Sequence, residues 1–200
     1  MNRIGAGLLV VLIGFSAVRA DDSEAKAVKF VEGADGRVTR DETLPGKPVV
    51  KVSLNFTKLT DSDLKELAAF KSLKTLYLTS VNVTDAGLKE LAALKNLTEL
   101  DLTRTKVTDA GLKELAALNN LTILRLGETQ VTDAGMKELA ALKKLTRLQL
   151  DRTKLTDAGL KELTALKNLT SLGLGGIGST DVTEAGRREF LKAMPKCKLR

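Results

Sequence analysis

A chain of 200 residues with 32 Lys and Arg against 25 Asp and Glu has a formal charge of +7, a mild basicity that points to nucleic acid only where the charge gathers on one face. It holds no His and a single Cys, so the commonest general base and metal ligand is missing and no disulfide can form within the monomer. No Pro/Ser-rich linker interrupts it, and the whole reads as one domain.

The first twenty residues stand apart. Arg3 gives a positive start, the run from Leu8 to Phe15 is almost wholly apolar, and Val18-Arg19-Ala20 ends on a small residue. This is the shape of a secretory signal peptide cleaved after Ala20, with an apolar run shorter than the ~20 residues a spanning helix needs. Residues 1–20 are therefore expected to direct export to a periplasmic, cell-surface or secreted location. Arg3 and Arg19 would leave with the signal, lowering the charge from +7 to +5. No later segment is apolar enough to span a membrane.

Residues 21–48 follow no repeat and are expected to form an N-terminal cap. Ser23 to Glu32 suits a short helix with Ala27, Phe30 and Val31 inward, stopped at Gly33, and Arg37 to Arg40 suits a strand before the turn at Leu44-Pro45-Gly46-Lys47-Pro48.

From residue 49 the chain becomes periodic. TDAGLKEL opens at Thr84, returns at Thr108 and Thr156 and, with Met for Leu, at Thr132, a constant step of 24 residues. A looser copy, TDSDLKEL, opens at Thr60, and a degenerate TEAGRREF opens three residues late at Thr183. A period of this length means a solenoid. In the unit 84–107, Leu88, Leu91 and Leu94 give an apolar stripe over about three turns of helix. Leu100 and Leu102 then alternate with Glu99, Asp101 and Thr103 as in a strand. One strand and one helix cannot bury their apolar sides alone, so stacked copies make the core.

Thr84 and Asp85 sit where a helix N-cap belongs. The column Asp85, Asp109, Asp133, Asp157 is read as capping, because one carboxylate per coil is a poor cage for calcium. Gly87, Gly111, Gly135 and Gly159 lie in the first helical turn, where Gly costs ~1 kcal/mol against Ala, and close contact between coils would explain them. Thr105, Thr129 and Thr153 are expected to satisfy loop backbone groups with their hydroxyls. The lysines at 65, 89, 113, 137 and 161 beside glutamates at 66, 90, 114, 138 and 162 form a solvated helix face. Matches to N-x-[ST] at Asn55, Asn82, Asn96, Asn120 and Asn168 would be glycan acceptors only in a eukaryotic secretory route. Residues 49–182 are the repeats. Residues 183–200 form a closing half-repeat in which Phe190, Leu191 and the Met194-to-Arg200 tail replace the regular helix and strand, with Cys197 closing the core after the loosened loop at Gly175-Gly176-Ile177-Gly178.

The motif Leu97-x-x-Leu100-x-Leu102-x-x-Thr105-x-Val107-Thr108-Asp109 resembles a leucine-rich repeat. The variant it is most similar to is the cysteine-containing type of F-box adaptor proteins, with Thr105, Thr129 and Thr153 where that type has Cys. Over residues 49–200 the chain also resembles secreted repeat proteins of planctomycete-like bacteria. The resemblance implies an α/β, right-handed leucine-rich-repeat solenoid, a horseshoe with a parallel β-sheet on the concave face and helices on the convex face. An adaptor role in ubiquitin ligation follows from the repeat resemblance alone, and no F-box-like segment is present.

Positions identical in every copy are explained by stacking, so function falls to those that vary. These lie on and just after the strands, on the concave face: Tyr77, Glu99, Asp101, Arg104, Arg125, Glu128, Arg147, Gln149 and Arg152, with Phe56 near Tyr77. Aromatic residues and Arg carry most interface energy, which singles out Tyr77 and Arg125, unless the cap covers Phe56 and Tyr77. Mixed charge and one tyrosine argue against nucleic acid. The expectation is a secreted module binding a protein or surface glycan, without catalysis, cofactor or metal. The alternative is a structural protein of the cell envelope whose copies pack together.

Overall fold

The computed structural model describes residues 22–176 and 178–200, and the expected signal at 1–20 lies outside them. Helix α1 (Asp22–Gly33) leads to strand β1 (Arg37–Arg40). Strands β2 (Val49–Ser53), β3 (Thr75–Tyr77), β4 (Glu99–Asp101), β5 (Ile123–Arg125), β6 (Arg147–Gln149), β7 (Ser171–Gly173) and β8 (Lys198–Leu199) follow, one per coil. Together the eight form one sheet in chain order. β1 is antiparallel to β2, and every later pair is parallel.

The register equals the sequence period: Val52, Leu76, Leu100, Leu124, Leu148 and Leu172 align across the strands. All six are buried in one continuous apolar column that runs from Ala27 and Val31 at one end to Phe190 and Cys197 at the other. On α1, Ala27 and Val31 face inward as expected, with Phe30 partly buried against the core.

The helical side of each coil is tighter than the expected three turns. It comprises α2 (Asp85–Leu91), α3 (Asp109–Leu112), α4 (Asp133–Met136) and α5 (Asp157–Glu162), and the last three run on into 3₁₀ turns. In the first coil, Asp61–Ala69 is 3₁₀ throughout. The reason is visible in the spacing: leucines at i, i+3, i+6 share a face at three residues per turn, the 3₁₀ period. The last coil also differs from expectation. It keeps both elements, α6 (Glu184–Ala193) and β8, and β8 extends the sheet.

Side-chain ladders run from coil to coil, with further threonine bonds inside each coil. Thr84, Thr108, Thr132 and Thr156 cap their helices by accepting from the amide two residues on. The aspartate beside each threonine does not cap its own helix, as the sequence suggested; it reaches the next coil. Asp85 accepts from the Thr108 amide at 2.8 Å and the Thr108 hydroxyl at 2.7 Å, and Asp61, Asp109, Asp133 and Asp157 repeat the pattern. The glycines make room for it, since a Cβ on Gly111 would collide with the Asp85 carboxylate. Inside each loop, the buried hydroxyls of Thr105, Thr129 and Thr153 donate to the carbonyl three residues back, at 2.6 to 2.7 Å. On the opposite edge, the side-chain amides of Asn96, Asn120 and Asn168 donate to Lys71, Lys95 and Lys143 carbonyls of the preceding coil. At these three sites the nitrogen that a glycan would take is therefore engaged.

Among the described residues no aspartate from before the first coil reaches Thr60, and the coil supplies the group itself. Asp63, standing where later copies have Gly, accepts from both the Thr60 amide and the Thr60 hydroxyl at 2.8 Å.

Candidate binding face

Side chains alternate along a strand, so residues flanking the buried leucines project to the concave side in two rows. Parallel register aligns Ser53, Tyr77, Asp101, Arg125, Gln149 and Gly173 in one row, and Lys51, Thr75, Glu99, Ile123, Arg147 and Ser171 in the other. The antiparallel pairing of β1 extends them with Arg37 opposite Ser53 and Thr39 opposite Lys51. At the far end Lys198 pairs with Ser171, and Arg200 follows beside Gly173. Arg37, Lys198 and Arg200 escaped the sequence reading because they lie outside the 24-residue register. The signal that could have found Arg37 was the alternation in Arg37-Val38-Thr39-Arg40.

The central charges are linked. The Arg125 guanidinium lies 2.6 Å from Glu99 Oε1 and 4.0 Å from Asp101 Oδ2. Tyr77 donates its hydroxyl to the same Glu99 oxygen at 3.3 Å, and the Lys51 ammonium sits 4.6 Å from the centre of the Tyr77 ring. Asp101 Oδ1 also accepts from the Thr103 amide. Along the rim, Glu128 takes Arg104 at 2.9 Å and Arg152 at 3.2 Å. Those hydrogen bonds, the one from Arg104 first, hold the Glu128 carboxyl below the ordinary carboxylate value. Among the described residues, Arg147 and Gln149 are exposed and have no side-chain partner.

The rim has a backbone peculiarity. Phe56, Ser80, Arg104, Glu128 and Arg152 all adopt positive φ, from 54° to 62°. Glycine fits such a position without cost, whereas other residues are held there by their surroundings. Here the amides of Phe56, Ser80, Arg104 and Glu128 each donate to a carbonyl of the following coil. At Arg152 the inserted glycine loop displaces that carbonyl, and Ser179 Oγ accepts instead at 3.0 Å. Residues 22–48 do not cover Phe56, which is 72% exposed.

Two recesses mark the ends of the face. The N-terminal one, about 290 Å³, is lined by Arg37, Thr39, Lys51, Ser53 and Tyr77. The C-terminal one, about 690 Å³, has a floor at Gly173 and Gly175 and walls that include Gln149, Asp151, Arg152 and Arg200. Among the described residues no group of three or more acidic, His or Cys side chains is placed to hold a metal. No helix among them is long and apolar enough to cross a membrane.

A parallel sheet with one strand and one short helical segment per coil, bound by Thr, Asp and Asn ladders, defines a leucine-rich-repeat solenoid. The family profile described as Leucine Rich repeat matches residues 71–92, 93–116, 117–140 and 141–163, so the chain carries leucine-rich repeats over those residues. It is similar in fold to an internalin of Listeria monocytogenes, with a TM-score of 0.60 at 24% identity over 75% of this chain and 46% of that one. A second Listeria protein, internalin C2, gives 0.55 at 23% identity over 88% and 81%. A leucine-rich-repeat protein of Leptospira interrogans gives 0.59 at 31% identity over 76% and 36%. The chain thus spans less than half the length of the first internalin and of the Leptospira protein. No curated protein matches it.

Proposed function

We propose that this leucine-rich-repeat protein is a binding module that takes a protein partner on its concave sheet and carries out no chemistry on it. The observation that carries the reading is the charge of the two sheet rows. They contain Arg37, Lys51, Arg125, Arg147, Lys198 and Arg200 against Glu99 and Asp101, and both carboxylates flank the single guanidinium of Arg125. A row of paired charges at the centre, with cations left over at both ends, is pre-arranged for a partner of opposite sign rather than neutral. Extended concave surfaces of stacked repeats suit large ligands. Nucleic acid is disfavoured because its single-stranded forms bind on aromatic platforms, and the one tyrosine of these rows already has Lys51 over its ring.

The test is affinity capture from the source organism with the chain beginning at Asp21, run beside a Tyr77→Ala, Arg125→Ala double variant of matched thermal midpoint. Loss of partners from the variant is expected; recovery of the same partners by both overturns the concave-face reading. Export belongs to the same reading, and N-terminal sequencing of the protein recovered outside the cytoplasm should begin at Asp21.

A further inference from the structure

Resting on that reading, we infer that the N-terminal end of the concave face is a subsite for an acidic peptide segment carrying an apolar side chain. Three observations converge there. The recess between β1, β2 and β3 contains two cations, Arg37 and Lys51, and no carboxylate lines it. Glu99, the carboxylate of the row that includes Lys51, is engaged by Arg125 and by the Tyr77 hydroxyl. The charge of this end is therefore open to a carboxylate from outside, in a partly enclosed site where charge-assisted hydrogen bonds are stronger than neutral ones.

Phe56 supplies the apolar half. It sits on the rim of the coil that contributes Lys51 and Ser53, is 72% exposed, and is held at φ +62°. An exposed aromatic in a left-handed conformation is unfavourable twice over, in solvation and in backbone energy. A glycine would remove both costs, since the fold asks only for an amide donating to Thr79 at that position. The side chain is thus dispensable for the coil. Exposed aromatic side chains serve as anchors at interfaces, and the ring of Tyr77, one strand further along, offers a second apolar surface under the Lys51 ammonium. The anchor and the cations together specify the occupant: carboxylates for Arg37 and Lys51, and a Leu- or Phe-type side chain against Phe56.

The probe is a pair of capped peptides, acetyl-Asp-Glu-Leu-Asp-Glu-amide and its Asn/Gln counterpart, titrated into the ¹⁵N-labelled chain. The acidic peptide should shift amides around Ser53, Phe56 and Tyr77, with affinity falling about tenfold or more for the uncharged peptide and for Lys51→Gln, Arg37→Gln or Phe56→Gly. Phe56→Gly should bind less while unfolding at a higher temperature, an outcome that a purely structural role for Phe56 does not give. Equal binding of the uncharged peptide, or equal or tighter binding of hexaglutamate or a sulfated oligosaccharide, overturns the assignment to an acidic-apolar peptide. Absence of any shift overturns the subsite while the capture experiment still decides the concave-face reading. Shifts centred on Arg147 and Arg152 overturn the N-terminal placement and leave the face as the binding surface. Shifts confined to the convex side overturn both.

Discussion

Asp109 grips Thr132 of the next coil at two points, with Oδ1 2.7 Å from the Thr132 amide and Oδ2 2.7 Å from its hydroxyl. Because Thr132 in turn caps its own helix through the same hydroxyl, one carboxylate positions both the coil and the helix that starts it. Asp109→Ala removes two charge-assisted bonds at a partly buried joint and should cost about 2–4 kcal/mol. Asp157→Ala, whose bonds to Thr183 are exposed, should cost about half as much, since water replaces the lost partner. Urea unfolding of the two variants measures the difference; equal costs would mean that the ladder is not graded by burial.

Gly159→Ala tests why glycine recurs in that turn. Helix propensity alone favours Ala by ~1 kcal/mol. A Cβ at this position, however, would meet Leu155 Cδ1 at 2.6 Å and the Asp133 Cα at 2.9 Å. The second contact is backbone and cannot rotate away, so overpacking should prevail with a net loss of about 1–3 kcal/mol. A gain in thermal midpoint would show that the coils can separate to admit a methyl group.

The Asp63 carboxyl is held below its ordinary value of 3.8, first by the Thr60 amide and then by the Thr60 hydroxyl. A group whose folded value is depressed contributes stability that is fully present above its unfolded value and is lost as pH falls through the folded one. The stability gap between the parent chain and Asp63→Ala should hence be constant at neutral pH and narrow below about pH 4. Denaturant midpoints taken at several pH values read this directly, and a gap that keeps its size down to acid denaturation would remove Asp63 from the titrating set.

Buried hydroxyls offer a comparison of opposite signs. Thr180 Oγ1 is buried and has no partner among the described residues, whereas Thr153 Oγ1 donates to Leu150 at 2.6 Å. Thr180→Val should stabilise by about 1 kcal/mol or more, because the desolvated hydroxyl is removed. Thr153→Val should instead lose about 1 kcal/mol. Its cost is limited because the second coil already has Val81 in this column, fully accommodated in the core.

Much of this was legible from spacing. The 24-residue step fixed which leucines align, as Leu76, Leu100, Leu124 and Leu148 do, because in a solenoid the repeat length and the sheet register are the same quantity. Helix α1 and β1 were legible from local periodicity. The destination of the aspartates was not: Asp85 and Thr84 are neighbours in sequence, and nothing local distinguishes a bond within a coil from one to a threonine 23 residues on. Likewise the six-cation surface required β1 and β8 to join the sheet, which depends on tertiary pairing. Tyr77, Glu99 and Arg125 were singled out by their variation, and the structure links them through one carboxylate oxygen.

Asp63 makes the stack directional in a way that bears on how such chains grow. In every later coil the glycine at that position leaves a slot open for the carboxylate of its predecessor, as Gly87 does for Asp61. The first coil fills its own slot and is thereby closed to any coil placed before it. Whole units inserted between Thr84 and Thr156 would find both halves of the joint ready on either side. A duplicate of the first unit placed in the interior would bring two carboxylates to one threonine. Lengthening by repetition is open in the middle of this chain and barred at its start.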